Sequence, residues 1–248
     1  MVKVSIIIAS YNSEKTLKTA LTSVAAQNFS DWECIVVDGK SIDSTISIIK
    51  EFEYLDSRFK HISEVDKGIY DAYNKGWKIA KGLWVYYMGS DDELLPDSLK
   101  EMMANEGNCD ILYGNIKYVS AVNGRLIDGK YCNGWLDDMN SVSHQAILMK
   151  RKLIEKFGGF DLRYKYSADC DLIMKSIKFG AKSNYVDTFV AKFYSGGASG
   201  MSMDCSLESF DIRLKYWNAR RAYIWFLLNV PRKWLRLKII YLKHKIGM

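Results

Sequence analysis

Two adjacent carboxylates, Asp91 and Asp92, follow a short apolar run that ends in Gly89 and Ser90. A buried strand that ends in two acids can hold a divalent cation, and carboxylate oxygens suit Mg²⁺ or Mn²⁺. Such an ion usually keeps some waters and shares its coordination with substrate phosphates. The alternative is that both acids cap a helix that begins near Pro96, because acids are favoured in first turns. The other strand ends of the chain favour the metal site.

Polar residues also follow the first two apolar runs. The β-branched run 3–10 ends in Ser10 to Asn12, and the run 32–37 ends in a polar segment that begins at Asp38. Apolar residues at helical spacing follow each run, and four such alternations over about ninety residues indicate a parallel sheet with right-handed crossovers. Ligands of such sheets bind beyond the carboxyl ends of the strands. Three polar strand ends at one sheet edge therefore predict a binding site, with solvated loops as the alternative.

The remaining elements follow from the same periodicities. The first helix should be capped near Asn12 or Ser13, where polar side chains precede the helical pattern. We further expect strands at 59–62, 109–119, 125–131 and 184–193, a hairpin turn at Asn123-Gly124, a helix over 169–179, and two C-terminal helices broken at Pro231. The fold class predicted by this order is α/β.

The chemistry of the polar strand ends favours a phosphate-bearing ligand. Asp38, a carboxylate at a strand end, can accept from a base N–H or a ribose hydroxyl, as acids do in dinucleotide sites. Tyr11 offers a face for base stacking, although an aromatic after a strand is often only packed. No G-x-G-x-x-G and no G-x-x-x-x-G-K-[ST] segment is present, so a dinucleotide site and a P-loop lose support. Without a P-loop, a metal on the acid pair would neutralise the phosphates.

The bulk composition is that of a globular protein. The 248 residues fit one large domain or one domain with an appendage, and 48% hydrophobic and 26% charged residues argue against disorder. Five scattered cysteines without metal-ligand spacing indicate free thiols in a reducing compartment. The first residues lack the pattern of a signal peptide, and no apolar stretch has the length that spans a bilayer.

Charge is divided unevenly along the chain. After Asp211 there are ten Lys and Arg residues and no acid, so this end carries about +10 and the rest about −4. Trp, Tyr and aliphatic residues interleave with these basic residues, a content that suits the headgroup region of an anionic membrane. An RNA-binding tail and a helix packed on a partner subunit are the alternatives. We predict that the tail, residues 206–248, binds a membrane surface and that the protein binds no nucleic acid.

Four segments of the first half together resemble one family. They are Ser5–Asn12, Val37–Thr45, Asp66–Gly76 and Ser90–Asp92. In this order they resemble the N-terminal half of an inverting nucleotide-sugar glycosyltransferase of family 2, which has the GT-A fold. The variant Gly-Ile-Tyr-Asp-Ala at 68–72 resembles the branch that builds bacterial O-antigen, capsule and colanic-acid repeats. The resemblance covers about the first 200 residues of the chain.

The resemblance implies a GT-A domain over 1–205, with a mostly parallel sheet flanked by helices. Residues 1–117 would bind the nucleotide sugar and residues 118–205 the acceptor. The implied roles are uridine binding by Ser10, Tyr11 and Asp38, nucleotide-sugar binding by Asn12, a donor-sugar contact by Asp71, a ribose contact by Asp91, and coordination of Mn²⁺ or Mg²⁺ by Asp92. Many members carry an acid two residues before the Asp pair, where this chain has Gly89. Metal coordination could therefore rest on Asp92 alone.

In the second half the resemblance places the general base at Asp169. Inverting transfer to a sugar hydroxyl needs a carboxylate within hydrogen-bond reach of the nucleophile, on the face opposite the departing phosphate. A lone acid in a first helical turn is more often a cap, and the Glu that usually precedes this Asp is Ala168 here. Asp171 is the second choice for the base, although helical geometry turns it about 200° away from Asp169.

Two further segments match the family on the acceptor or diphosphate side. They place His144 and Gln145 in Ser-His-Gln-Ala, and Gly197 and Ser199 in a Gly-Gly-x-Ser segment. Taken alone, a single His is more often structural than catalytic, and the glycine segment could be only a turn. Backbone N–H groups of such a segment can also close over a diphosphate, and a His can stabilise the departing nucleoside diphosphate.

Together these observations predict a metal-dependent inverting glycosyltransferase, peripheral on the cytoplasmic face of the bacterial inner membrane. It would move a hexose, glucose or galactose, from a UDP-sugar onto a sugar linked to undecaprenyl diphosphate during O-antigen or capsule synthesis. A polyprenyl-phosphate sugar synthase and a catalytically degenerate nucleotide-sugar-binding subunit are the alternatives. The sequence specifies neither the linkage formed nor an oligomeric state.

Overall fold

The computed structural model of the protein describes residues 2–120, 124–139, 142–194 and 202–246. The strands are β1 (Val4–Ser10), β2 (Trp32–Asp38), β3 (Phe59–Ser63), β4 (Trp84–Gly89), β5 (Glu93–Leu94), β6 (Ile111–Val119), β7 (Leu126–Gly129), β8 (Ile147–Lys150) and β9 (Ser183–Tyr194). The helices are α1 (Leu17–Ala25), α2 (Thr45–Leu55), α3 (Ile69–Ile79), α4 (Ser98–Ala104), α5 (Arg151–Phe157), α6 (Ala168–Lys178), α7 (Asp204–Tyr216) and α8 (Ala219–Ile246), with a 3₁₀ turn at His144–Ala146.

One mixed sheet organises these elements, in the order β3-β2-β1-β4-β8-β6-β9-β5, with β7 paired to β6. The first four strands of this order are parallel, and β8 runs antiparallel between β4 and β6. The chain moves outward from β1 to β3 and then returns to place β4 on the other side of β1. This reversal leaves a crevice at the carboxyl ends of β1 and β4, which is where ligands bind in open α/β sheets.

Strand register brings the predicted polar strand ends together. Ser10 pairs with Asp38 across β1 and β2, and Ala9 pairs with Gly89 across β1 and β4. The acid pair follows Gly89 directly. The three polar strand ends therefore lie side by side at one sheet edge, as the sequence predicted.

The continuous apolar runs of the central strands are explained by burial on both faces of the sheet. Ile6 and Ile8 of β1 belong to a core that α1, α2 and α4 cover. Ile7, which points the opposite way, belongs to a second core formed with α3, α5, α6 and α7. Because successive side chains of a strand alternate between faces, most residues of such a strand are apolar or small, and a buried acid such as Glu33 of β2 needs donors of its own.

The first helix begins later than predicted, at Leu17 and not near Asn12 or Ser13. The polar groups of these two residues serve a loop-to-loop contact instead. Asn12 Oδ1 accepts from the Ile42 backbone N–H at 3.0 Å, and the Ser13 N–H donates to Thr45 Oγ1 at 2.7 Å. The Asn12 side chain and the Ser13 backbone N–H therefore join the segment after β1 to the segment that leads from β2 into α2.

The predicted helix break at Pro231 is wrong, because α8 runs through that residue. The break lies at Trp217 and Asn218, between α7 and α8. Asn218 Oδ1 accepts from the Arg221 backbone N–H at 2.9 Å, which is the hydrogen bond of an N-cap. A capping Asn thus starts the last helix, and Pro231 removes only one hydrogen bond from a helix of 28 residues.

The two C-terminal helices differ in how they contact the body. Ile212 and Tyr216 of α7 are buried in the core beside α3 and α6. The last helix packs on α7 through the rings of Phe210 and Phe226, whose centroids are 4.5 Å apart. In the part of the chain described by the structure, no helix combines the length and apolar content of a membrane span. Of the predicted hairpin, β6 and β7 pair as expected, while Asn123 lies outside the described residues.

Candidate active site

A cavity of about 650 Å³ opens at the carboxyl edge of the sheet. Its walls come from the start of α3, the acid-pair turn after β4, the 3₁₀ turn before β8 and the start of α6. Six of the residues predicted for the site line it, namely Asp71, Asp91, Asp92, His144, Gln145 and Asp169. The structure therefore brings the acid pair and the predicted base into one cavity, although they are far apart in sequence.

Asp92 is a buried carboxylate with incomplete hydrogen bonding. Its side chain is 1% exposed, and Oδ2 accepts from the Gly89 backbone N–H at 3.1 Å. Oδ1 is buried and, within the described residues, has no hydrogen-bond partner. Burial raises the pKa of Asp92 to about 6, and the neighbouring Asp91 carboxylate adds to this shift. A buried carboxylate oxygen without a donor is costly for the fold and well suited to a cation.

Steric crowding favours a glycine at position 89 in this structure. A Cβ at this position would lie 2.7 Å from Asp91 Oδ1 and 3.0 Å from Asp92 Oδ2. The two carboxylates therefore occupy the space that a side chain at position 89 would need. An acid there, as in many members of the family that the sequence resembles, would require the pair to move.

Asp169 lies in the first turn of α6 and is held by two donors. The Tyr70 hydroxyl donates to Oδ1 at 2.9 Å, and His144 Nδ1 lies 3.2 Å from Oδ2. Burial would raise the pKa of Asp169, but the hydrogen bonds and charge of His144, together with the Tyr70 hydroxyl, outweigh it and hold the pKa below its ordinary value. Asp169 is therefore ionised at neutral pH, as a base must be before it accepts a proton.

Asp171, the second choice for the base, faces a different element. Its Oδ1 accepts from Lys215 Nζ and from the Tyr216 hydroxyl, both at 2.8 Å. Both donors belong to α7, so this carboxylate fastens α7 to α6. It does not line the cavity.

The residues implied for uridine lie beside the cavity and not in its lining. Tyr11 is 63% exposed, whereas Asp38 is fully buried. The Asp38 carboxylate accepts from the Ser41 backbone N–H at 3.1 Å, from the Ser41 hydroxyl, and from the Ser63 hydroxyl at 2.7 Å. Ser10 Oγ is buried and without a partner among the described residues. Asp38 thus shapes the strand end through two serines, while Tyr11 offers the exposed ring.

Asp66 and Asp71 belong to the segment between β3 and α3, which lies between the end of β2 and the cavity. Asp71 Oδ2 accepts from the Lys67 backbone N–H at 3.0 Å and lies 3.6 Å from Lys75 Nζ. Asp66 was not singled out from the sequence, yet a Cβ on Gly39 would lie 2.6 Å from its Oδ2 and 3.3 Å from the Tyr11 ring. The approach of Asp66 and Tyr11 to Gly39 could not be predicted, because it depends on how separate loops meet.

Tyr70 is the second residue that the sequence analysis missed. It belongs to the quoted segment 66–76, where only Asp71 received a role. Its hydroxyl reaches across to Asp169, which comes from the other half of the chain. Gly197 and Ser199, predicted to close over the diphosphate, lie outside the described residues.

The residues of the cavity fit a divalent cation that is held mainly by its substrate. Over the ranges that the structure describes, no group of three or more His, Cys, Asp or Glu side chains is arranged as a metal site. Asp92 Oδ1 nevertheless supplies one buried anionic oxygen without another partner. Mg²⁺ and Mn²⁺ sites commonly use one or two carboxylates and complete their coordination with phosphate oxygens and water.

The fold and the site define a class of protein. A sheet whose reversal point carries an acid pair, of which Asp92 is buried and Asp91 exposed, with an ionised carboxylate in the same cavity, has the ligand site of an open α/β enzyme. The architecture is GT-A, since the solved mannosyltransferase PcManGT from Pyrobaculum calidifontis, in complex with GDP-Man and Mn²⁺, matches with a TM-score of 0.71 at 17% identity. That match covers 93% of this chain and 71% of that one.

Residues 5–204 match the family described as Glycosyl transferase family 2, and the chain belongs to that family. It is 33% identical over 237 residues to a PGL/p-HBAD biosynthesis glycosyltransferase of Mycobacterium bovis, covering 93% of this chain and 90% of that protein. It is 35% identical over 131 residues to the Escherichia coli UDP-Glc:alpha-D-GlcNAc-diphosphoundecaprenol beta-1,3-glucosyltransferase WfgD, covering 52% of this chain and 50% of that protein. The predictions of the family, of the GT-A fold and of a hexosyltransferase are confirmed.

Proposed function

We propose that this protein is a metal-dependent inverting glycosyltransferase that moves a hexose, glucose or galactose, from a UDP-sugar onto a sugar linked to a lipid diphosphate. The observation that carries the proposal is that Asp92, with an unpartnered carboxylate oxygen, and Asp169, an ionised carboxylate, line one cavity. The first can hold the cation of a departing diphosphate and the second can take the acceptor proton. The reaction needs these two groups together.

The proposed reaction is a single displacement at the anomeric carbon of the donor sugar. Asp169 removes the proton of the acceptor hydroxyl as that oxygen forms its bond to the anomeric carbon. The bond from this carbon to the diphosphate breaks, and its electron pair leaves with UDP. Asp92 would hold Mn²⁺ or Mg²⁺, which supplies charge stabilisation for the departing diphosphate. Tyr70 and His144 keep the Asp169 carboxylate in place through one hydrogen bond to each oxygen.

The donor side of the proposal uses the strand ends and the large cavity. Tyr11, Ser10, Asn12 and Asp38 would form the uridine side, with Asp91 at the ribose and Asp71 at the sugar. A cavity of about 650 Å³ is within the size range of small-molecule sites and accepts a nucleotide sugar. The UDP-Glc donor in the name of the E. coli relative supports a UDP-hexose. The Mn²⁺ of the mannosyltransferase complex supports the metal.

The acceptor would enter from a second cavity on the other half of the chain. This cavity, of about 210 Å³, shares Val142, Tyr166 and Asp169 with the first. Residues of α6 and α7 line it together with Leu136 and Met139. Because Asp169 belongs to both cavities, a hydroxyl in the second cavity would meet the base and the donor sugar at one place. The acceptor named for the E. coli relative is a sugar on diphosphoundecaprenol.

The last helix would hold the protein at the cytoplasmic face of a bacterial inner membrane. Its exposed apolar side chains are Tyr223, Ile224, Leu227, Leu228, Trp234 and Leu235. They stand among the basic residues that follow Asp211, so the helix offers both apolar and cationic contacts to anionic lipid. The proposed division is a catalytic domain over 1–205 and a membrane-binding tail over 206–248, within which α7 packs on the domain and α8 makes the membrane contacts.

A sedimentation assay with vesicles tests the tail. Wild-type protein should bind vesicles that contain phosphatidylglycerol, and Leu227→Ser combined with Trp234→Ala should lower the bound fraction several-fold. Tyr54→Ser is a matched control, because Tyr54 is 91% exposed on α2 of the catalytic domain and should leave binding unchanged. Equal binding by the tail variant and the wild type would contradict the membrane role.

A donor and acceptor screen tests the reaction. The purified protein is incubated with UDP-glucose or UDP-galactose, synthetic GlcNAc- or GalNAc-diphosphate lipids, and Mn²⁺. We expect one sugar to be transferred to a sugar hydroxyl with inversion, and transfer to stop when a chelator is added. Transfer to bare polyprenyl phosphate would identify a polyprenyl-phosphate sugar synthase instead. UDP binding without transfer to any acceptor would identify a nucleotide-sugar-binding subunit.

A further inference from the structure

Two buried polar atoms of the large cavity have no hydrogen-bond partner in the described parts of the chain. They are Asp92 Oδ1 and His144 Nε2. Both residues line the same cavity. Folded proteins give nearly all buried polar atoms a partner, which is either protein, water or a ligand. Each of these two atoms therefore needs a partner that the described polypeptide does not provide, and both face one cavity.

The proton on His144 can be placed from its other nitrogen. Nδ1 lies 3.2 Å from Asp169 Oδ2, and an ionised carboxylate only accepts hydrogen bonds. Nδ1 therefore carries the hydrogen, and in the neutral imidazole Nε2 carries a lone pair. Asp92 Oδ1 is likewise an acceptor. The two atoms cannot bond to each other in this state, because each needs a cation or a donor.

The arrangement is the one found around metal-bound histidines. A ligating His usually donates its second ring N–H to a carboxylate, which fixes the tautomer and the ring orientation. Here Asp169 is that carboxylate, and the His144 ring is also packed against the Tyr73 ring at 6.0 Å between centroids. Imidazole nitrogen and carboxylate oxygen are both ligands that Mn²⁺ accepts.

Position 89 is a glycine and supplies no ligand, so a second protein ligand would come from another part of the chain. A side chain at this position would meet Asp91 Oδ1 and Asp92 Oδ2, so no acid fits there without moving the pair. His144 enters the cavity from the 3₁₀ turn before β8, where that conflict does not arise.

We propose that His144 Nε2 and Asp92 Oδ1 are the two protein ligands of the divalent cation, and that Asp169 holds His144 in the metal-binding tautomer. The proposal rests on the metal dependence in the proposed function and adds His144 as the second protein ligand of the metal. Oxygens of the nucleoside diphosphate and water fill the other positions. Asp169 then has two tasks, one at the acceptor hydroxyl and one through His144 at the metal.

Binding of Mn²⁺ in the presence of saturating UDP tests the ligand assignment without any turnover. The variant is His144→Phe, which keeps an aromatic ring against Tyr73 but has no nitrogen. We expect its Mn²⁺ affinity, measured by calorimetry or by the free Mn²⁺ signal in electron paramagnetic resonance, to fall at least about tenfold. Asp169→Asn should lower the same affinity by about tenfold, the size of effect seen for the outer partners of metal ligands. His61→Ala is the matched control, because His61 pairs with Glu53 away from the cavity.

Pulsed resonance of the Mn²⁺–UDP complex gives a direct reading of the ligand. A histidine nitrogen bound to Mn²⁺ should give a nitrogen coupling in the wild type and in His61→Ala, and this coupling should be absent in His144→Phe. Circular dichroism and Tm establish that the variants are folded. If the wild type binds Mn²⁺ but shows no nitrogen coupling, or if His144→Phe binds Mn²⁺ as tightly as the wild type, the ligand assignment is wrong while the metal dependence stands. If the wild type with UDP binds no Mn²⁺, both fail.

Discussion

The two ends of the parallel sheet each bury a carboxylate, and the two carboxylates differ in their surroundings. Glu33 lies near the amino end of β2 and is 2% exposed, while Asp92 lies past the carboxyl end of β4 and is 1% exposed. Glu33 accepts hydrogen bonds from the Ser5 hydroxyl at 2.7 Å, the Lys81 backbone N–H at 2.6 Å and Lys60 Nζ at 3.0 Å. Asp92 Oδ2 accepts from the Gly89 backbone N–H at 3.1 Å, while Oδ1 has no partner among the described residues.

The pKa values of the two acids follow from this difference. Burial acts to raise the pKa of Glu33, but the Lys81 N–H, the Ser5 hydroxyl and Lys60 together lower it below its ordinary value. Burial raises the pKa of Asp92 to about 6 and the Asp91 carboxylate adds to the shift, while His144, the Gly89 N–H and the Gln145 side chain oppose it only in part. The two shifts are opposite because Glu33 has three donors, one of them cationic, whereas Asp92 lies deeper in the fold and beside the Asp91 carboxylate. A carboxylate with a full set of donors stabilises the fold, whereas one that lacks them is available to a ligand at a cost in stability.

The largest expected effect is the loss of transfer in Asp92→Asn. If Asp92 holds the metal, an amide should lower the transfer rate by about a thousandfold or more, because several kcal/mol of charge stabilisation at the departing diphosphate are lost. The same variant should keep its Tm at neutral pH in chelator, because it removes a buried charge that has few donors. Rates come from a transfer assay with Mn²⁺, and Tm comes from thermal unfolding. Full activity of Asp92→Asn would contradict the assignment of Asp92 to the metal, and with it the functional difference between the two ends of the sheet.

The next effect is on the acceptor step. Asp169→Asn should lower kcat by about 10²–10⁴-fold, the usual contribution of a positioned base. With Mn²⁺ raised to saturation to offset weaker metal binding, the KM for the UDP-sugar should change little, because the base acts on the acceptor. Asp171→Asn is the comparison, since Asp171 faces α7 and should reduce stability more than kcat. A larger kcat loss in Asp171→Asn than in Asp169→Asn would exchange the roles of the two acids.

The two ends of the sheet also differ in how much of each could be predicted from the sequence. The acid pair, Asp38 and the alternation of strands and helices were predictable, because strand periodicity places their positions at one edge of a parallel sheet. Asp169 needed the family resemblance, since an acid in a first helical turn resembles a cap. Its contacts with Tyr70 and His144 could not be predicted, because they join segments from the two halves of the chain.

Glu33 shows the same limit at the other end of the sheet. It is a single acid within an apolar strand, and no pattern in the sequence assigns it a role. Its donors are Ser5, Lys60 and Lys81, which come from three other parts of the chain. Only the pairing of Ser5 with Glu33 follows from strand register. The partners of a charge that is buried by tertiary packing can therefore be identified only from the structure.

Removing the Glu33 carboxylate should reduce stability and leave catalysis unchanged. Glu33→Ala leaves the Ser5 hydroxyl and the Lys81 N–H buried without an acceptor, so the free energy of unfolding should fall by about 2–4 kcal/mol. For a chain of this size the Tm should drop by roughly 5–10 °C. The kcat measured well below the Tm should match the wild type, because Glu33 is at the opposite end of the sheet from the cavity. A loss of kcat with an unchanged Tm would contradict the division of roles between the two ends.

The smallest expected effect is a pH dependence of the unfolding free energy that is caused by the ionisation of Glu33. A carboxyl whose pKa is lower in the folded than in the unfolded chain stabilises the fold above the unfolded value, here 4.5, and loses this contribution as the pH falls through the lowered folded pKa. The difference in unfolding free energy between the wild type and Glu33→Gln should therefore be constant from pH 7.5 to about 5 and shrink below about 4.5. Denaturant unfolding of both proteins across this range measures it, and comparison with the variant cancels the titration of the other acids. A difference that stays constant down to pH 3.5 would mean that the hydrogen-bonded shape of Glu33, and not its charge, stabilises the amino end of the sheet.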